Sequence, residues 1–386
     1  MKRSRRFTWR ATFLLVAAIG GVLVWTGRAD ILQWGVNRTV EALENVDGVR
    51  TYIDRHRTEY LTEREARIDV AGTMHAASRA DLAPLRARVT EFIWGGPLPA
   101  DRLPDDVAEV PDIARDYDLS PLARIRAFVT GMAHGVSVRT LFLETAASPR
   151  GCLVVYHQDH NAVLLGEREW FRRFLAAGCD VISVPLPLTV DAPPLPIRTE
   201  VDGRLVELSD HNDFAALERD GFTPIRFFVE PAVASVNRAL SEKSYDRIGV
   251  LGLSGGSWAT MLHAAIDPRV SHAYPVAGAL PLYLRYPGSR NRGDWEGRSS
   301  ALYDLASYFD LYLLGVLEPG RRAIYVYNRY DNCCSNGVLT AAFSAQTEGI
   351  ARRWGLGSIR FHIDETARVH IISEDALDLI MSDFLK

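Results

Sequence analysis

The sequence lacks a strong excess of charge of either sign, and it also lacks internal repeats and low-complexity tracts. Its 44 basic and 48 acidic residues give a formal net charge of −4. This small imbalance gives no sign of a nucleic-acid partner, since contact with the phosphate backbone requires a basic patch. The 386 residues are 47% hydrophobic and 24% charged. That composition is typical of a globular protein able to bury a large core.

Cysteine is scarce, with only four residues in the chain. An even number permits disulfides without proving them. Cys152 and Cys179 flank neighbouring strand segments, so a bridge between them is one option. Cys333 and Cys334 are adjacent, and a bridge at either would stiffen the turn around Asp331. Two free buried thiols at this turn are the alternative.

Charge is absent from residues 11–26, ATFLLVAAIGGVLVWT, which follow five basic residues within the first ten. A membrane span needs about 17–25 residues, and snorkelling of Arg10 would extend the run to residues 7–27. The sequence has no small-residue cleavage site after the run. We therefore favour an uncleaved signal anchor over residues 1–27, with its basic flank in the cytoplasm. A cleaved signal peptide and a buried helix are the alternatives.

The residues after the anchor divide into two parts. Residues 28–121 are predicted to form a helical stalk and N-terminal extension. Residues 28–70 carry apolar positions at helical spacing among many charges, which indicates a stalk of one or two helices, and a further helical stretch covers residues 80–92. From residue 122 to 386, short apolar runs alternate with helical patterns. This alternation predicts an α/β fold with a mostly parallel sheet and helices on both faces. Export would place this domain on the extracytoplasmic side of the membrane, in the periplasm if the source is bacterial, where disulfides persist.

A serine lies between an apolar run and a helical pattern in RIGVLGLSGGSWATMLHAAI, residues 247–266. Gly252, Ser254 and Gly256 complete a G-x-S-x-G motif. At a joint between a strand and a helix, this motif holds the serine on a tight turn and exposes its hydroxyl. The motif therefore predicts Ser254 as a nucleophile. A glycine-rich turn that only lets backbones pack closely is the alternative.

A nucleophilic serine needs a base, and the base needs a carboxylate that orients it. In chains with this motif the acid and then the histidine follow later strands. Asp331 follows the predicted strand at 322–328, and His370 follows the predicted last strand. Since parallel strands end at one edge of the sheet, we expect both side chains to converge on Ser254. Asp364 is the alternative acid.

The order of strand, elbow serine, acid and histidine between about residue 122 and residue 386 resembles the α/β-hydrolase superfamily. Within it, the chain is similar to dienelactone hydrolases, acetyl-xylan esterases and prolyl oligopeptidases. The resemblance implies that Ser254 is the nucleophile, Asp331 the acid and His370 the base, with no cofactor and no metal. The residues before 122 lie outside the resemblance.

An oxyanion formed during acyl transfer needs two amide donors. The amide of Gly255, directly after the nucleophile, is the first. The second is expected in the loop after the strand at 152–157, where we favour the Gln158 amide, followed by that of Asp159. Two positions depart from the family pattern: Gln158 follows His157 where a His-Gly pair is usual, and Val369 rather than glycine precedes His370.

The insertion at 187–230 is expected to shape the substrate pocket. Its Asp202-Gly203 pair predicts a hairpin turn. Asp210, His211 and Asp213 follow and carry side chains that can bind a metal. We favour a polar loop stabilised by Asx turns, without a metal.

A second insertion, 281–320, is rich in aromatic residues. Aromatic rings over a cleft can stack on sugars, but at helical spacing they are more typical of a core. We favour the core. From both insertions and the loop after residue 157, the candidates for substrate contact are His157, Asp159, His211, Asn212 and Trp295.

These features together predict a membrane-anchored serine hydrolase that acts on a small-molecule or glycan carboxylic ester. A serine peptidase or an acyltransferase would use the same triad and differ only in leaving group and acceptor. A hydrolase fold retained as a non-catalytic binding module would predict a broken triad, whereas all three members are present. The sequence makes no prediction of oligomeric state.

The anchor can be tested by fractionation of cells. We expect the full-length chain to stay in the membrane pellet after carbonate extraction, because residues 1–27 would remain inserted. The fragment 28–386 should instead be soluble. Recovery of a mature form that lacks residues 1–26 would contradict the anchor and favour a cleaved signal peptide.

Overall fold

The computed structural model describes residues 68–116, 119–160, 168–189, 194–284, 293–331, 333–367 and 369–386. The anchor predicted over residues 1–27, and the predicted stalk as far as residue 67, lie outside the described residues. Within the described ranges, no helix is both long enough and apolar enough to span a membrane.

Nine of the described strands form one sheet in the order β1-β2-β3-β5-β4-β8-β9-β10-β11. In this order the first three pairs of neighbours, β1-β2, β2-β3 and β3-β5, are antiparallel. The remaining pairs, from β5-β4 to β10-β11, are parallel. This confirms the predicted α/β fold with a mostly parallel sheet. The described strands, in chain order, are β1 (Asp106–Glu109), β2 (Leu122–Gly131), β3 (Ser137–Thr145), β4 (Cys152–His157), β5 (Cys179–Val184), β6 (Ile197–Val201), β7 (Arg204–Leu208), β8 (Arg247–Leu253), β9 (His272–Val276), β10 (Arg322–Asn328) and β11 (Ser358–Asp364).

The helices cover both faces of this sheet. Those described are α1 (Val70–Thr73), α2 (Arg79–Trp94), α3 (Pro111–Asp116), α4 (Arg168–Ala176), α5 (Arg226–Glu242), α6 (Gly255–Ile266), α7 (Trp295–Arg298), α8 (Ser300–Tyr303), α9 (Tyr308–Leu314), α10 (Ser344–Arg353) and α11 (Glu374–Phe384). One apolar core contains residues of α2, α5, α6, α9 and α10, and a second contains residues of α4 and α11.

Strand β4 shows how one strand serves both cores. All six of its residues are buried. Leu153 and Val155 belong to the first core, whereas Val154 and Tyr156 belong to the second. Side chains alternate between the faces of a strand, so a central parallel strand must be apolar on both faces. This explains the uninterrupted apolar runs that predicted the strands.

The domain begins earlier than the predicted boundary at residue 122. The apolar face of α2 lies in the same core as α6 and α9. Arg86 of α2 donates from Nε to the carbonyl of Ala265 at 2.9 Å and from Nη2 to that of Leu314 at 2.7 Å. Strand β1 forms the edge of the main sheet beside β2. A helical period identifies an apolar face without identifying its partner, so the sequence predicted a helix at 80–92 but left it outside the domain.

The first insertion contains the predicted hairpin. Strands β6 and β7 pair antiparallel from Val201 and Arg204 outwards. The two residues between them, Asp202 and Gly203, have φ values of 50° and 75°. Positive φ at both positions is what a two-residue hairpin turn requires.

The second insertion places its aromatic side chains mainly in the core, as expected from their helical spacing. Tyr308, Phe309 and Tyr312 of α9 are buried. The rings of Tyr303 and Tyr308 stack with their centroids 4.6 Å apart. These rings therefore support the helices beside α6, the helix that follows Ser254.

Both pairs of cysteines form disulfides. Cys152 and Cys179 stand opposite each other at the starts of the adjacent strands β4 and β5, with Cα atoms 4.7 Å apart. Cys333 and Cys334 form a vicinal bridge. The described cysteines therefore leave no free thiol.

The two bridges should contribute differently to stability. Cys152 and Cys179 are 27 residues apart, so their bridge restricts the unfolded chain and its loss should lower the free energy of unfolding by about 3 kcal/mol. The vicinal bridge closes no loop of comparable length. Urea denaturation of Cys152→Ala/Cys179→Ala should show the loss, with Cys333→Ser/Cys334→Ser as the matched control. A larger loss in the control would contradict this account.

Candidate active site

Ser254 occupies a sharp turn between β8 and α6. Its φ of 57° and ψ of −115° lie outside the helical and extended regions. A non-glycine residue with such angles is strained and persists only where the surroundings fix it. Here the Ser254 amide donates to the carbonyl of Val276, the last residue of β9, at 3.0 Å. The predicted joint of strand, turn and helix is therefore confirmed.

The two glycines of the motif let the backbones around Ser254 approach closely. A Cβ on Gly252 would stand 2.3 Å from the carbonyl oxygen of Gly256. A Cβ on Gly256 would stand 2.1 Å from that of His157, at the end of β4. Any other residue at either position would push the turn away from the sheet. The motif therefore requires glycine at both positions for steric reasons.

Asp331 and His370 are in direct contact. Asp331 follows β10, and its Oδ2 lies 2.7 Å from His370 Nδ1. Its Oδ1 accepts the amides of Cys333 at 2.8 Å and Cys334 at 3.0 Å. Burial acts to raise the pKa of Asp331, but the charge of His370 and these hydrogen bonds outweigh burial and lower the pKa. The carboxylate is therefore ionised beside the imidazole.

Asp364, the alternative acid, has a different role. Its Oδ1 accepts the amides of Thr366 at 2.7 Å and Ala367 at 3.2 Å. Its Oδ2 accepts the hydroxyl of Ser373, the N-cap of α11. Asp364 therefore organises the loop between β11 and α11. The carboxylate that meets His370 is that of Asp331.

Asn328 is a positioning residue that sequence reasoning missed. It is the last residue of β10, and it is fully buried. Its Nδ2 donates to the carbonyls of Val369 at 2.9 Å and Ile371 at 2.8 Å. These bonds hold the backbone on both sides of His370. Only the folded loop identifies their partners, so the sequence carries no signal for them.

Of the two expected oxyanion donors, the Gly255 amide lies where it was expected and the Gln158 amide does not. The Gly255 amide donates to Asp159 Oδ1 at 3.3 Å, so it faces the loop after β4 as expected. The Gln158 amide donates instead to the carbonyl of Val184 at 2.9 Å. Its side-chain Nε2 donates to Ser183 Oγ at 2.6 Å. Gln158 is thus engaged by β5, and the assignment of its amide to an oxyanion is corrected.

Three other residues expected to line the pocket lie elsewhere. His157 is fully buried, with Nε2 3.0 Å from His263 Nδ1 of α6. It belongs to the core because it is the last, inward-facing residue of β4. Asn212 and Trp295 line a different cavity from the one at Ser254. Trp295 packs against Phe214 with ring centroids 6.2 Å apart.

The cavity at Ser254 brings together five separate segments of the chain. The elbow contributes Ser254, Gly255 and Trp258. Cys334 and Ser335 come from the loop that carries Asp331. The remaining polar side chains are those of His160, Asp294 and Glu296.

The electrostatics of this cavity are dominated by His160 and its carboxylates. Burial acts to lower the pKa of His160, but hydrogen bonds with Asp159, Asp294 and Glu296 outweigh burial and raise the pKa to about 12. Burial acts to raise the pKa of Glu296, yet His211 and His160 hold it at about 2. His211, a candidate for substrate contact, is buried behind this group.

Among the residues that the structure describes, two groups of side chains have the composition of metal ligands. In the first, with Asp331 and His370, the two cysteines are joined in a disulfide and offer no thiolate. The second contains His160, His211, Asp294 and Glu296.

Asp210 and Asp213, which flank His211 in the sequence, are not members of the second group. They cap the 3₁₀ helix His211–Leu217: Asp210 Oδ1 accepts the Asn212 amide at 2.7 Å, and Asp213 Oδ2 accepts the Ser209 amide at 2.7 Å. This confirms the Asx-type turn expected for the loop.

No protein-family model matches the sequence, and no curated protein matches it either. Among solved structures, an acetyl xylan esterase from Thermoanaerobacterium sp. JW/SL YS485 is similar at 14% identity over 79% of this chain and 93% of that chain, with a TM-score of 0.52. The methylesterase BT1017 is similar at 13% identity over 86% of this chain and 67% of that chain, with a TM-score of 0.50. Both likenesses concern the fold.

The backbone strain at Ser254 predicts different stabilities for the glycine and alanine variants of this residue. Glycine adopts the Ser254 angles without penalty, whereas alanine retains a cost of about 1–3 kcal/mol. The greater freedom of glycine in the unfolded chain offsets about 0.4–1 kcal/mol. Ser254→Gly should therefore be more stable to urea than Ser254→Ala by about 1 kcal/mol. A glycine variant less stable than the alanine variant would contradict the strain.

Proposed function

We propose that this chain, which has the fold of the α/β-hydrolase superfamily, is a serine hydrolase that cleaves carboxylic esters. The observation that carries the proposal is the 2.7 Å contact between Asp331 and His370. It joins two loops at the edge of the sheet where Ser254 stands on its strained turn. An acid bound to the Nδ1 of a histidine at this edge is the arrangement that activates a serine.

In the proposed reaction the hydroxyl of Ser254 attacks the acyl carbon of the ester. His370 accepts the hydroxyl proton at Nε2 and then donates it to the leaving alcohol. Asp331 accepts a hydrogen bond from Nδ1–H and remains ionised, which selects the tautomer with a basic Nε2 and stabilises the imidazolium. Water, deprotonated by the same histidine, then cleaves the acyl-enzyme.

The Gly255 amide is the first proposed oxyanion donor. An anionic oxygen, Asp159 Oδ1, already accepts from this amide, as the oxygen of a tetrahedral intermediate would. The ester carbonyl must displace that carboxylate when the substrate binds. Since the Gln158 amide is engaged by β5, the amide of Asp159 itself becomes the proposed second donor.

The proposed substrate is a small-molecule or glycan ester. The similar solved structures include an acetyl xylan esterase and a methylesterase, and these names support a small acyl or alkyl group. Asp159, Asp294 and Glu296 outnumber the single imidazolium of His160 around the cavity. This charge supports a neutral substrate over an anionic one, because like charges repel across a site of low dielectric.

The proposed location is the extracytoplasmic side of a membrane, with the N-terminal segment as the anchor. The two disulfides support an oxidising compartment.

The test combines labelling and turnover. A fluorophosphonate should label the wild-type chain at Ser254 and leave Ser254→Ala unlabelled. In a panel of acetyl esters, methyl esters and peptides, kcat/KM should be highest for an ester. Ser254→Ala and His370→Ala should each lower kcat by about 10⁴-fold or more, and the double variant should be little worse, because the residues act as one unit.

Asp364→Asn is the matched control for Asp331→Asn. Both substitutions remove a buried carboxylate near the His370 loop, but only Asp331 contacts the imidazole. Asp331→Asn should therefore lower kcat far more than Asp364→Asn. The reverse order would overturn the acid assignment, full activity of Ser254→Ala would overturn the hydrolase, and turnover of peptides alone would replace the esterase by a peptidase.

A further inference from the structure

We propose that His160, His211, Asp294 and Glu296 bind one zinc-type divalent cation and thereby fix the two insertions against the nucleophile elbow. This cation site goes beyond the proposed hydrolysis. It uses residues from three segments of the chain: the loop after β4, the insertion 187–230 and the insertion 281–320.

The four ligand atoms all lie within 4.8 Å of one another, and four of the distances between them are close to those in a zinc coordination shell. His160 Nε2 lies 3.1 Å from His211 Nδ1, 3.3 Å from Glu296 Oε1 and 2.8 Å from Asp294 Oδ2. His211 Nδ1 and Glu296 Oε1 are also 3.3 Å apart. Zinc binds nitrogen and oxygen at about 2.0–2.2 Å, so tetrahedral ligands are separated from each other by about 3.3 Å. A single ion therefore fits between these atoms.

The opposite nitrogen of each imidazole has the partner expected of a metal ligand. His211 Nε2 lies 2.7 Å from the carbonyl of Pro187, to which it donates, and this leaves Nδ1 with a lone pair. His160 Nδ1 lies 3.3 Å from the carboxylate of Asp159. Histidines that bind metals usually donate their second N–H to a carbonyl or a carboxylate. Both ligand nitrogens thus face inward.

Glu296 supplies a separate reason for a cation. Glu296 as a whole is only 4% exposed. Within the described residues its Oε2 is buried and accepts no hydrogen bond. A buried carboxylate oxygen without a partner is costly, and the neighbouring Asp294 adds a second negative charge that His160 alone cannot balance. A divalent cation would displace the proton from His160 Nε2 and neutralise both carboxylates.

The donor types favour zinc over calcium or magnesium. Two imidazole nitrogens and two carboxylates suit zinc, whereas calcium and magnesium prefer shells made of oxygen. Four protein ligands complete a tetrahedral shell, which is the arrangement of a structural rather than a catalytic ion.

The proposed cation site lies directly beside the turn at Ser254. A Cβ on Gly255 would stand 2.2 Å from His160 Cε1, so the imidazole packs directly on the residue after Ser254. His160, Asp294 and Glu296 line the same cavity as Ser254. An ion held by them would fix the wall of the cavity that faces the nucleophile.

Zinc binding to the full-length chain tests the proposal. After removal of metals with a chelator, the protein should bind one Zn²⁺ per chain in a calorimetric titration, and Ca²⁺ and Mg²⁺ should not compete. Bound zinc should raise the melting temperature, since it binds only the folded chain. Co²⁺ in the same site should give the intense visible bands of tetrahedral coordination.

Matched variants assign the ligands. Glu296→Gln keeps the shape of the side chain and removes its charge, and it should weaken zinc binding by more than about 100-fold, as should His211→Ala. Asp159→Asn, which alters the partner of His160 Nδ1 but replaces none of the four proposed ligands, should weaken binding by about 10–100-fold. Asp210→Asn, beside His211 but bound to its own backbone, should leave zinc binding unchanged.

Ser254→Ala separates this proposal from the proposed hydrolysis, because it should abolish turnover and retain zinc. A stripped wild-type chain that takes up no zinc would overturn the site, and so would unchanged affinity in Glu296→Gln. Octahedral Co²⁺ spectra would overturn the tetrahedral shell. If His211→Ala fails to fold, the isosteric Glu296→Gln variant and the wild-type spectrum still decide.

Discussion

The close approach of three backbone segments around Ser254 is the constraint on which the candidate site depends. The end of β4, the turn at Ser254 and the first turn of α6 can meet only because Gly252 and Gly256 have no Cβ. That contact keeps Ser254 at a φ of 57°. The buried strands and helices on both sides offset the free-energy cost of this backbone conformation, since a small strain is tolerated where a large core over-determines the conformation.

The same sheet edge receives the other functional loops, and local hydrogen bonds set their shape. Asn328 holds the backbone around His370, while Asp364 ties its loop to the cap of α11. Asp331 is oriented by the amides of the two bridged cysteines. Each loop is therefore fixed by its own polar groups and not by contact with a substrate. In the proposed reaction, such preorganisation would cost nothing at the moment of bond formation.

Much of the fold followed from the sequence, because its signals are local. Apolar runs predicted the central strands, the Asp202-Gly203 pair predicted the hairpin, and the glycine motif predicted the elbow. The sequence failed where the partner of a residue is remote. The Gln158 amide turned out to pair with β5, and the helix predicted at 80–92 proved to pack in the core of the domain that was expected to begin at residue 122. In both cases a local pattern is compatible with several tertiary partners.

The sequence by itself determined that Ser254 would stand on a strand-to-helix turn, because chain geometry and the size of glycine act over five residues. It also gave the order in which Asp331 and His370 follow later strands. Only the tertiary structure decided which carboxylate meets His370, and only it assembled His160 with His211 and Glu296, which lie 51 and 136 residues further along the chain. Contacts between such distant residues depend on how the insertions pack over the sheet, and no local propensity encodes that packing.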